Sequence, residues 1–166
     1  MIALVKLNAQ ENVVKVNPLG LAFGVSQLSY ERALDSNSAA ELSLAYTSLN
    51  ASFGSTEAKV SGFGGEIKYK FYFSSSNDAP RGWYAAPLVN YSSASGSSGS
   101  SKGEVSAFGG GLVAGYQWVF GGSDSGFALD INLGAQYAST KTSGGITNIK
   151  FDGVLPRLGV SLGYAW

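Results

Sequence analysis

The chain has 166 residues, eleven basic and eleven acidic side chains, 23 glycines and neither cysteine nor histidine, enough for one core or one closed barrel but short for two independent domains. Balanced charge leaves no basic footprint for nucleic acid. The missing Cys and His remove disulfides, thiol nucleophiles, imidazole bases and the commonest zinc ligands.

No run reaches the roughly 18 apolar residues of a membrane helix. Residues 1–12 read as an N-terminal extension or the remnant of a signal peptide, because the apolar part of MIALVKLNAQ is too short for a complete h-region. A vector-encoded start and a frayed first strand are the other readings of that stretch. Residues 13–166 read as a single domain.

From Val13 to Leu34 the period is irregular: Lys15 and Asn17 share one side, and Pro18 interrupts the run, predicting a bulge there. Gly24-Val25 then predicts a tight turn toward Leu28 and Tyr30. Clean alternation follows, the mark of a strand with two unlike faces. Leu42, Leu44 and Tyr46 oppose Glu41, Ser43, Ala45 and Thr47. Ile67, Tyr69, Phe71 and Phe73 oppose Glu66, Lys68, Lys70 and Tyr72. Trp83, Ala85, Pro87, Val89 and Tyr91 oppose Tyr84, Ala86, Leu88 and Asn90.

The C-terminal half repeats the pattern. Phe108, Leu112, Ala114, Tyr116, Trp118 and Phe120 share a face opposite Gly109, Gly111, Val113, Gly115 and Gln117. Phe127 through Tyr137 alternate with Ala128 through Ala138, and Leu158 through Trp166 with Arg157 through Ala165. Eight segments result. Long Ser/Gly/Thr-rich connections, at Thr47 to Ser61, Ser92 to Glu104 and Ser139 to Gly153, take turns with shorter ones at 35–38, 74–81 and 121–126. Within the second, SSASGSSGSS (92–101) reads as a flexible loop tip.

Alternating long and short connections are what a transmembrane β-barrel needs, with one set of loops outside and the other periplasmic. The expected fold is all-β: an eight-stranded antiparallel up-and-down transmembrane barrel of porin-like type. One face is bulky and aromatic. The other is small, polar and sparsely charged, too polar for an oily ligand cavity. Tyr30, Phe71, Phe73, Trp83, Trp118, Phe120, Phe127, Tyr164 and Trp166 fall at the short-turn ends of their segments, as an interfacial girdle would. Tyr46, Phe63, Tyr91, Phe108 and Tyr137 fall toward the other ends.

The ending Leu158-x-Val160-x-Leu162-x-Tyr164-x-Trp166 resembles the assembly signal of bacterial outer-membrane barrels, with Trp where that family prefers Phe. From Val13 onward the chain is similar to the small eight-stranded OmpA/OmpX-type class. Val14 to Gly20 and Leu28 to Arg32 are also similar to a barrel family of Bacteroidota, a resemblance that implies no activity. These resemblances imply a Gram-negative outer membrane, a lipid bilayer as surroundings and the barrel-assembly machinery as a partner during biogenesis. The expected state is a monomer.

Lys15, Glu31, Glu41, Glu66, Lys68, Lys70, Asp130 and Arg157 are expected to face the lumen as a polar network, with Asn17, Gln117, Asn132 and Gln136. An ion-paired plug is the favoured reading of these charges; a proton or ion path and a hydrolytic carboxylate pair are the alternatives. Catalytic, cofactor and metal residues are expected to be absent. Small lipid-deacylating barrels use a Ser–His pair, and there is no His here. Asp35, Asp78, Asp124 and Asp152 occupy turn contexts where Asp is ordinary. The expected role is an envelope scaffold or surface-contact protein acting through long extracellular loops, with no partner legible in them. The alternative is a lipocalin-like, ligand-holding barrel, soluble or peripheral.

Overall fold

The computed structural model describes residues 11–53, 56–74, 78–98, 101–121, 125–144 and 151–166. The N-terminal stretch 1–10 lies outside the described residues. Eight strands, β1 (Asn12–Val16), β2 (Val25–Asp35), β3 (Ser38–Phe53), β4 (Thr56–Tyr72), β5 (Gly82–Ser98), β6 (Ser101–Gly121), β7 (Gly126–Gly144) and β8 (Asp152–Ala165), close into an antiparallel up-and-down barrel. Closure is made by β1 on β8, with Val13 opposite Ala165 and Val16 opposite Leu162. Beyond that ladder, Asn12 and Trp166 exchange backbone hydrogen bonds at 3.0 and 2.9 Å.

The register fixes the barrel's dimensions. A walk along paired residues from Val13 through Glu31, Glu41, Lys68, Leu88, Gly111, Gln136 and Leu155 arrives back at β1 displaced by ten residues. For eight strands, about 3.3 Å per residue and about 4.8 Å between strands, that shear tilts the strands by about 40° and sets a radius of about 8 Å. An interior of that size is filled by side chains.

The two faces differ sharply. Outside stand Leu42, Leu112, Leu133, Val154 and Leu158, at 50 to 70% exposure. Inside, Lys15, Glu31, Lys70, Gln117 and Asp130 are all at 2% or below. Large buried hydrophobics are few, chiefly Val13, Tyr72, Tyr84, Leu88 and Val113. Inward glycines make room for the bigger interior groups. A Cβ on Gly163 would lie 2.6 Å from Lys15 Cγ, and one on Gly115 would lie 2.8 Å from the Tyr84 hydroxyl.

The first connection departs from the sequence expectation. Pro18 starts no bulge; it opens a one-turn helix, α1 (Pro18–Ala22). Asn17 caps it, its side-chain oxygen accepting from the Gly20 N–H at 2.9 Å, and Pro18 supplies a pre-set φ where no N–H is needed. The return to β2 runs through Gly24 at φ 73°, a left-handed geometry that favours glycine. The β1–β2 connection is therefore a helical turn, not a two-residue one.

The long connections also differ. Expected as loops, they continue as paired strands: β3 with β4 to Phe53 opposite Thr56, β5 with β6 to Ser98 opposite Ser101, β6 with β7 to Gly103 opposite Gly144. The serine-rich stretch 92–98 is thus ladder. Small Ser, Gly and Ala residues are poor strand formers alone, but a hairpin already in register zips them at little cost. The ladder of β2 on β3 ends at Val25 opposite Thr47 and that of β1 on β8 at Val16 opposite Leu162, so the rim is high from β3 to β7 and low where α1 sits.

At the opposite end the β2–β3 connection is tight. Asp35 accepts from the Asn37 N–H at 2.7 Å and from the Ser38 hydroxyl at 2.7 Å, an Asx turn that closes the β2–β3 hairpin. The described part of the β4–β5 connection folds inward: Ala79 and Pro80 are buried, with the Ala79 N–H donating to the Ser36 carbonyl at 2.8 Å.

Candidate functional site

Each charged interior residue occupies an inward position of its strand, and the barrel's radius brings residues from six strands within bonding distance. Lys15, from β1, sends its ammonium to Glu31 Oε2 at 2.5 Å, Glu41 Oε2 at 2.6 Å and Asp130 Oδ2 at 3.0 Å, and donates to Gln117 Oε1 at 3.0 Å. Lys70, from β4, meets the same four groups: Asp130 Oδ2 at 2.6 Å, Glu31 Oε2 at 2.8 Å, Glu41 Oε2 at 3.0 Å and Gln117 Oε1 at 3.1 Å. Its Nζ also stands 4.3 Å from the centre of the Tyr84 ring, a cation–π contact.

The remaining carboxylate oxygens are capped as well. Tyr72 donates to Glu31 Oε1 at 2.6 Å, Tyr84 to Asp130 Oδ1 at 2.6 Å, and Lys68 to Glu41 Oε1 at 2.9 Å. All six oxygens of Glu31, Glu41 and Asp130 thus carry a partner. Gln117 turns its amide the other way, donating to the Pro80 carbonyl at 2.7 Å, which ties the network to the inward-folded connection at the short-turn mouth.

A second tier continues toward the long-hairpin end. Lys68 bridges Glu41 and Glu66, the latter at 3.1 Å. Arg157, on β8, meets Glu66 Oε2 at 2.5 Å and Gln136 Oε1 at 2.8 Å, and Asn90 donates to the same Gln136 oxygen at 2.7 Å. Of the charged members Arg157 is the most open, its side chain 25% exposed, and Asn90 and Gln136 beside it are half-buried. Near the low rim, Asn17 and Gln27 pair at 3.1 Å.

All eight charged residues singled out in the sequence therefore join one network, four cations against four carboxylates. Asn132 and Gln136 join it, donating to Asp130 and accepting from Arg157. Asn17 pairs apart from it. The tyrosine caps were not singled out, although Tyr72 keeps phase with Lys68 and Lys70, and Tyr84 with Ala86 and Leu88; that phase was the available signal. Nothing local announced the burial of Ala79 and Pro80.

In such an interior, desolvation costs about as much as Coulomb attraction returns, so the net contribution is small while loss of any single partner is expensive. Glu31, Glu41 and Asp130 converge with ligand oxygens within 4.8 Å of one another, close enough to hold a cation. The chain supplies its own: the ammonium groups of Lys15 and Lys70 sit among them.

The aromatic residues lie on the opposite face of the wall. Tyr30, Phe71, Phe73, Trp83, Phe120, Phe127, Tyr164 and Trp166 are exposed at the short-turn end, and Trp118 is half-buried with its ring 4.5 Å from Tyr116. Phe120 stacks with Phe127, and Tyr164 with Trp166. Toward the other end Tyr46, Phe63, Tyr91, Phe108 and Tyr137 are exposed, Tyr46 and Phe63 at 4.9 Å between rings. Tyr137 donates to the Asp152 carboxylate.

Compared with known proteins, residues 1–144 match the model of a family described as Protein of unknown function (DUF3575). No curated protein and no solved structure matches the chain.

Proposed function

We propose that this chain, which belongs to that family, is an integral outer-membrane barrel of a bacterial envelope, close in kind to the OmpA/OmpX-type class. Its side-chain-filled lumen makes it a scaffold or surface-contact protein rather than a pore. The observation that carries this reading is the polarity of the wall. Among the described residues, thirty-three large hydrophobic side chains stand exposed, whereas soluble monomers rarely expose apolar patches beyond a few hundred Å².

The spacing of the aromatics supports it. Phe63 and Phe71 stand eight residues apart on β4, and Phe127 and Tyr137 ten apart on β7. At about 40° of tilt these separations span about 20 to 25 Å along the axis, near the height of a barrel's apolar band. A ligand-holding soluble barrel needs the reverse arrangement, an apolar inner wall around its guest. The interior carboxylates, each engaged by two or more cations, favour a structural role over general acid–base chemistry.

Orientation follows from the hairpins, with the high rim of β3 to β7 outside the cell as the surface for contact. The chain has no cysteine, so single Cys variants test both insertion and orientation. Ser95→Cys, on the raised β5, is expected to react with a membrane-impermeant maleimide on intact cells, and Asp78→Cys only after lysis. Recovery of the protein as a detergent-free soluble monomer sinks the membrane reading; the reverse labelling pattern inverts the orientation.

A further inference from the structure

Under α1 the outer wall is not smooth. A groove of about 490 Å³ runs over β1 to β4, lined by Val16, Leu21, Leu28, Leu44, Tyr46 and Phe63 among others. Leu21, from α1, overhangs one side, and the Tyr46–Phe63 ring pair forms the other. Its floor holds small groups, Ser26 and Gly64. Beside Leu44, the outward position 65 is also glycine, and the nearest heavy atom a Cβ there would meet is 3.8 Å away. The backbone does not demand glycine at 65; a larger side chain would fit and narrow the hollow.

The lining is almost wholly apolar: Ser26 and Tyr46, at the end level with the long-hairpin aromatics, bring its hydroxyls, while the Gln27 side chain turns to the lumen and pairs with Asn17. The other end, past Leu28 and Leu44, merges with the apolar wall that includes Leu42 and Ile67. A guest matched to this lining is an apolar chain continuous with whatever covers that wall.

We infer that this groove holds one acyl chain of an outer-leaflet lipid, clasped between the α1 overhang and the Tyr46–Phe63 pair. The inference rests on the membrane reading above, because the groove is continuous with the face assigned there to hydrocarbon. Bulk lipid touches every outward position in passing; a clasped chain dwells at these.

The test reconstitutes the full chain into phosphatidylethanolamine–phosphatidylglycerol vesicles containing a little phospholipid with a diazirine in its acyl chain, followed by photolysis and mass-spectrometric mapping. Adducts at Leu28 and Leu44 are expected about fivefold above those at Leu133 and Leu158, a preference of about 1 kcal/mol. Ser26→Trp and, separately, Gly65→Leu are each expected to bring Leu28 and Leu44 down to the level of the other two. Heat-modifiable gel migration checks that each variant is folded. A chain that stays in the aqueous fraction when vesicles are floated overturns the membrane reading itself. A chain that floats but labels all four leucines equally, or keeps its enrichment in both folded variants, overturns only the groove.

Discussion

Lys70 on β4 and Asp130 on β7 close a 2.6 Å ion pair from strands three apart in the barrel. Each also binds other members of the network, so the pair staples the sheet to itself across the lumen. Replacing Lys70 with Met leaves Asp130, Glu31 and Glu41 short of a cation, and the loss is expected to be about 3 to 5 kcal/mol. Adding Asp130→Asn should restore part of it, the double variant losing less than the sum of the singles. Urea unfolding followed by tryptophan fluorescence measures both; additive losses would mean the contact carries no coupling.

Gly115 faces the Tyr84 hydroxyl, which is bonded to Asp130. Gly115→Val should overpack the interior and cost about 1 to 3 kcal/mol. A Cβ at 115 meets the Ile131 carbonyl oxygen at 2.5 Å and Asn132 Cβ at 2.7 Å before that hydroxyl, and Tyr84→Phe takes a donor from Asp130, so the Gly115→Val/Tyr84→Phe double variant should recover little of that loss. A large recovery in unfolding midpoints would put the crowding on Tyr84 and not on the neighbouring strand.

On the membrane reading, depth decides the cost of an outward charge. Leu133 sits between Phe127 and Tyr137 on β7, six residues from the first and four from the second. In a bilayer Leu133→Arg should cost about 2 to 4 kcal/mol and Tyr137→Arg about 0 to 1. Equal small costs in reversible refolding from lipid vesicles would point to a wall facing water.

The plugged lumen predicts electrical silence. Planar-bilayer recordings of the wild type should show no large, stable single-channel steps. Tyr72→Ala/Tyr84→Ala removes two large buried aromatics, their rings 5.4 Å apart at centroid, and should introduce small steps. Large steps in the wild type would replace the plug by a pore.

The Asp35 turn makes a prediction in pH. The Ser38 hydroxyl, and then the Asn37 N–H, hold the Asp35 carboxyl below the usual carboxylate range. Its folded value lies under its unfolded one, so the contribution to the turn is complete above the ordinary range near pH 4 and fades as pH falls through the lower folded value. Amide exchange at Asn37 should show that acid-side loosening in the wild type. The loosening should be missing in Asp35→Asn, and a wild type without it removes the carboxylate from the turn.

The strand positions were legible because alternation is a property of the extended backbone itself. Leu158, Val160, Leu162, Tyr164 and Trp166 must share one face whatever they pair with. The same rule assigned Lys15, Glu31 and Asp130 to the other face. It failed at Pro18, where a cap by Asn17 and a pre-set φ favour a helical turn over a bulge, two effects that period-2 reading does not weigh. It failed again at 92–98, because serine and glycine look like loop in isolation and become strand when a hairpin below them has already set the register.

Residue order alone thus decided which side chains face inward and which outward, since each strand carries that choice in its own pleat. It could not decide that Lys15 meets Asp130, or that Ala79 and Pro80 turn under the mouth. Those meetings depend on the ten-residue shear and the radius it sets, and both exist only once β1 has found β8 and the sheet has closed.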